Sequence, residues 1–162
     1  MTAMNLSLQE QWMPDGTCFG CGPANGHGLR LRSFPSDKDG GVIAEWRPEA
    51  HHNAYPGFVC GGVIGTLLDC HTGAALAWAL NVRGGTSNRT PLPHPFATAP
   101  WATAQFLVKL LRPAPIDAAV TLRAKVVQLE SDEAIVEASL EAAGKTCATC
   151  SATWKRLKRT YV

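Results

Sequence analysis

From residue 60 to about residue 80 the chain carries Val63, Ile64, Leu67, Leu68, Ala74, Ala75 and Trp78 at three- and four-residue spacings, which predicts a helix about five turns long. Few charges interrupt the pattern, so the helix must be covered by apolar groups on most sides. Any fold that contains it has to wrap around it. The run opens on glycines, in Pro56-Gly57-Phe58-Val59-Cys60-Gly61-Gly62, and the first turn of a helix leaves backbone N–H donors without intrahelical acceptors. Two turns further on stands Asp69, a carboxylate on an otherwise apolar element. The two features together predict a site for an anionic intermediate and a base.

Period-two alternation fills most of the remaining sequence. Residues 29–34, a turn at residues 36–41 and residues 42–46 predict a β-hairpin. In residues 103–111, Ala104, Phe106, Val108 and Leu110 alternate with Thr103, Gln105 and Lys109, and the run stops at Arg112-Pro113. Residues 120–129 and 134–142 follow with the same period. Residues 145–157 set Ala148, Cys150, Ala152 and Trp154 against Thr149, Ser151, Thr153 and Lys155. Two short strands, one buried helix and three or four long antiparallel strands predict an α+β domain in which a sheet wraps a central helix. Residues 81–100, with Pro91, Pro93, Pro95 and Pro100, read as a long loop. No repeat or linker divides the 162 residues, so one domain is expected, with residues 1–17 as an N-terminal extension.

The net charge of +2 is too mild for a nucleic-acid binder; the cluster Lys155, Arg156, Lys158 and Arg159 reads as a solvated strand end. The N-terminal residues lack the basic and apolar regions of a secretory signal, and Asp69 and His71 interrupt the longest apolar stretch. A cytoplasmic protein without a membrane partner is the expectation. Its six cysteines, at 18, 21, 60, 70, 147 and 150, are then expected to be thiols. A metal is not expected: Cys147 and Cys150 point to opposite faces of a strand, and Cys18 with Cys21 alone would hold an ion only weakly.

Taken in order, several motifs resemble the hotdog-fold acyl-CoA thioesterases of the phenylacetate-pathway type. They are Cys18-Phe19-Gly20-Cys21-Gly22-Pro23-Ala24-Asn25 with Gly28-Leu29, Pro56-Gly57 with Gly61-Gly62 and Leu68-Asp69, Thr103-Ala104, Leu111-Arg112-Pro113, and the final strand through Trp154. The resemblance spans about residues 18–157. One departure stands at Cys60, where the family pattern usually has a histidine before the glycine pair.

The resemblance implies a hotdog fold, a homodimer that pairs further into a tetramer, and hydrolysis of a coenzyme A thioester without another cofactor. It implies Asp69 as base or nucleophile and the Gly61 and Gly62 amides as holders of the carbonyl oxygen. Asp69 lies nine residues after Cys60, about 13 Å along a helix, so the resemblance places the site between two subunits. Thr103 would steady the attacking water, Asn53 would orient water or thioester, and Arg112 would meet the phosphates of coenzyme A. His71 would hydrogen-bond across the dimer or sit near the ligand. Cys60, at a helix start, has the setting of an activated thiol but no matched base. A hotdog protein that binds acyl-CoA without turnover is the alternative, with the missing histidine as its mark. A hotdog dehydratase would need a histidine–carboxylate pairing absent from the sequence.

Overall fold

In the computed structural model, residues 6–83, 96 and 100–158 are described. A short helix α1 (Leu8–Trp12) precedes strands β1 (Phe34–Pro35) and β2 (Val42–Trp46), a single 3-10 turn (Ala50–His52), and the long helix α2 (Gly61–Arg83). Strands β3 (Trp101–Leu110), β4 (Val120–Leu129), β5 (Glu133–Ala142) and β6 (Lys145–Arg156) follow and complete the order of elements among the described residues. All six strands form one antiparallel sheet in the order β1-β2-β4-β5-β6-β3. The sheet curls around α2, which packs chiefly across β4 and β5. The expected α+β architecture, a sheet wrapped on a central helix, is the one observed.

Burial follows the alternation. Leu67, Leu68 and Leu76 of α2 are fully buried against Leu122, Val136, Leu140, Ala148 and Ala152 of the sheet. Each buried leucine stabilises the fold by about 2 kcal/mol relative to an exposed one. The helix meets the length and hydropathy of a membrane span, yet 61% of its apolar window is buried, as befits a core helix. Within residues 1–17, α1 begins with a capping box in which Ser7 accepts from the Glu10 N–H and Glu10 accepts from the Ser7 N–H. Leu8 is buried in the common core, so this segment docks on the domain.

Two expectations change. The predicted strand over residues 29–34 is reduced to Phe34–Pro35, because Leu29 and Leu31 donate to the carbonyls of Phe19 and Gly20 (2.8 and 3.0 Å) instead of pairing with β2. Arg30 between them adopts φ 48°, which an extended strand does not allow. The predicted loop over residues 81–100 begins later, since α2 continues to Arg83; residues 84–95 and 97–99 lie outside the described residues. At the C-terminal basic cluster, Lys155 forms an ion pair with Glu133, whereas Arg159 lies outside the described residues.

Candidate active site

Asp69 sits midway along α2, half-buried, on the flank of the helix that faces β3 and β6. The hydroxyl of Thr103 donates to its Oδ1 at 2.7 Å. A β-bulge makes this contact: Thr103 pairs with Trp154, but the next paired residue is Gln105, opposite Thr153. The extra residue, Ala104, shifts the alternation by one. Thr103 therefore shares the helix-facing side with Phe106, Val108 and Leu110, although strict alternation from Phe106 places it opposite them. Burial pushes the Asp69 carboxyl above its ordinary range; the Thr103 hydrogen bond opposes this, and negative charge at Cys18 adds to it.

Neighbouring groups fix the helix at this point. The Thr72 hydroxyl donates to the Asp69 carbonyl (2.8 Å) and accepts from the Trp154 indole N–H (3.1 Å). Gly73 lets that indole lie against the helix, since a Cβ there would stand 2.9 Å from the ring. Asp69, Gly73 and Trp154 line a cavity of about 220 Å³ with Trp12, Cys18 and Cys70. Its walls are mostly apolar, suited to a hydrocarbon or aryl group beside a carboxylate. Trp154 was legible as a strand residue but not as part of the site, and Gly73 was not singled out, although a glycine inside an apolar helix signals a close approach.

No protein-family model matches the chain, and no curated protein sequence matches it. Among solved structures, a thioesterase superfamily protein from Shewanella loihica is 28% identical, with 83% of this chain and 97% of that one covered at a TM-score of 0.58. The E. coli PaaI protein from the phenylacetic acid degradation operon is 17% identical, covers 82% of this chain and 83% of its own, and has a TM-score of 0.60. A Bacillus halodurans protein crystallised with CoA is 18% identical, with 82% and 77% covered and a TM-score of 0.59. The chain has the hotdog fold of the thioesterase superfamily.

In this hotdog domain the helix start lies apart from Asp69. Gly61 and Gly62 open α2, eight and seven residues before Asp69 on one unbroken helix, so Gly61 is about 12 Å from it along the axis. The residues around the helix start are drawn together: the Cys60 N–H donates to the His52 carbonyl (2.8 Å), the Val59 N–H donates to the Ala114 carbonyl (2.9 Å), and Asn53 bridges to Val59. Asn53 is exposed there and Cys60 half-buried. Arg112, at the end of β3, belongs to the same end of the molecule and donates to the Thr146 carbonyl at 2.7 Å. Leu110 lies over the helix start, where a Cβ on Gly61 would stand 2.9 Å from its Cδ1.

His71 is placed differently from expectation. It is fully buried in this chain's own core, with Nδ1 2.9 Å from the Ser33 hydroxyl, and burial pushes its pKa down to about 4. Two residues past Asp69 on a helix is about 200° of rotation, which turns His71 away from the carboxylate. It is a core histidine and contacts neither the cavity nor the surface.

Proposed function

We propose that this protein hydrolyses a coenzyme A thioester at a site formed by two copies of the chain. The observation that carries this reading is the 2.7 Å hydrogen bond from Thr103 to Asp69, which fixes a half-buried carboxylate of raised pKa on the wall of an apolar cavity. Such a group is a competent general base.

On this reading, water held beside Asp69 and Thr103 attacks the thioester carbonyl while Asp69 takes its proton. The carbonyl oxygen becomes an oxyanion and is held by the amides of Gly61 and Gly62 from a second copy, aided by the helix dipole. Collapse of the tetrahedral intermediate expels the thiolate of coenzyme A, which recovers the proton from Asp69. Direct attack by the carboxylate, through an acyl anhydride that water then cleaves, uses the same residues. Asn53 and Cys60 flank the thioester at the helix start, and Arg112 meets the coenzyme A phosphates.

Two observations support the two-copy arrangement. The helix start and Asp69 are too far apart on one rigid helix to act on one carbonyl. Phe106 and Leu110 face α2 yet remain 46% and 57% exposed at the edge of the sheet, an apolar margin that a second copy would cover. The choice of coenzyme A as the thiol part of the substrate is supported separately, by the Bacillus halodurans neighbour crystallised with CoA. Pairing of dimers into a tetramer is part of the same proposal.

The alternative, acyl-CoA binding without turnover, is favoured by Cys60 in place of histidine. Thiol release from short, medium, long and aryl acyl-CoAs decides between them. Hydrolysis of at least one class is expected; saturable binding with no thiol released on any would replace hydrolysis by binding.

A further inference from the structure

Cys18 and Cys21 alone would hold an ion only weakly, but the fold supplies a third thiol. The sulfurs of Cys18, Cys21 and Cys70 lie within 4.8 Å of one another, and those of Cys18 and Cys70 are 3.7 Å apart. We infer that these three cysteines form a binding site for a thiophilic divalent cation of the zinc type, joining the N-terminal segment to the central helix.

The spacing fits the ion. A tetrahedral centre with Zn–S bonds of about 2.3 Å sets its sulfurs about 3.8 Å apart, close to the observed Cys18–Cys70 separation. A disulfide would require about 2.05 Å. Cys18 and Cys21 have the short Cys-x-x-Cys spacing of a metal knuckle, and the loop is closed by the Gly22 N–H donating to the Cys18 carbonyl at 2.8 Å. Gly20, between the two cysteines, and Gly22, directly after them, are both required by the approach. A Cβ on Gly20 would stand 2.4 Å from the Cys70 sulfur, and one on Gly22 would stand 2.5 Å from the Cys18 nitrogen.

The loop backbone points the same way. The backbone amides of Cys21 and Gly20 hydrogen-bond the Cys18 sulfur. A divalent ion would allow sulfurs this close to one another to ionise together. The backbone amides that address Cys18 are the outer-shell partners such a ligand needs. Three protein ligands leave the fourth tetrahedral position for water or an oxygen donor, and the three cysteines line the same cavity as Asp69.

Protein produced with zinc in the medium and purified under reducing conditions should retain about one zinc per chain. Cys18→Ser, at an exposed position, should lose it with the fold intact by circular dichroism. Cys70→Ser should lose it as well, whereas Cys147→Ser, a thiol outside the cluster, should keep it. Cobalt(II) exchanged into the wild-type protein should give sulfur-to-cobalt charge-transfer absorption that is lost in Cys18→Ser. Zinc content equal in wild type and Cys18→Ser, or cobalt uptake without charge transfer, would overturn the inference. So would a Cys18–Cys70 disulfide in metal-free protein as isolated.

Discussion

The Thr103 hydroxyl reaches Oδ1 of Asp69, at 2.7 Å, because strand β3 bulges directly after Thr103. Under strict alternation Thr103 would be out of step with Phe106, Val108 and Leu110 and would face away from the helix; the bulge at Ala104 brings it to their side. One bulge thus joins an edge strand to the carboxylate of the core helix.

Thr103→Val should lower kcat about tenfold, the value of a hydrogen bond to a charged group of about 1.4 kcal/mol. Thr103→Ser should retain most of the activity. Because the Thr103 bond opposes the upward push of burial on Asp69, its loss should also move the acid limb of the pH–rate profile to higher pH. An unchanged profile would mean that Asp69 is not the titrating base.

The helix, the long strands and the second arm of the hairpin were legible, since apolar residues at periods of two and of three to four are the direct imprint of burial; the first arm was not, because Leu29 and Leu31 are buried on a non-strand backbone. Asp69 stood out for the same reason, as a charge on an apolar run. The face of Thr103 did not, because a bulge changes the alternation without leaving a mark in composition. His71 was misplaced among ligand contacts because its partner, Ser33, is 38 residues earlier in the chain. The third cysteine of the thiol cluster was hidden likewise: Cys70 is 52 residues from Cys18, and only the folded approach through Gly20 joins them.

His71 should make the fold acid-sensitive. In the unfolded chain it takes up a proton near its ordinary pKa of 6.5, but in the fold only near 4. Between those values the unfolded state binds more protons, so the contribution is complete above about pH 6.5 and is lost as pH falls toward 4. At about pH 5 the loss should be about 2 kcal/mol. Urea unfolding at about pH 7 and pH 5 measures it, and His71→Gln should flatten the difference.

The exposed margin of β3 gives a separate test of the two-copy site. Phe106→Glu places a charge where Phe106 is half-exposed beside the helix. Dimer affinity should fall about thirtyfold or more, and thiol release should fall with it. Sedimentation at several concentrations, read beside activity, checks this; a fully active monomer would exclude a shared site.

The central claim is that Asp69 carries the hydrolysis, and the most direct measurement is kcat for Asp69→Ala on the acyl-CoA that the wild-type protein cleaves fastest, with the oligomeric state followed in the same samples. Loss of thiol release by about a hundredfold or more, with the dimer and acyl-CoA binding preserved, is the predicted result. Turnover within a fewfold of wild type would contradict it and remove Asp69 from the chemistry.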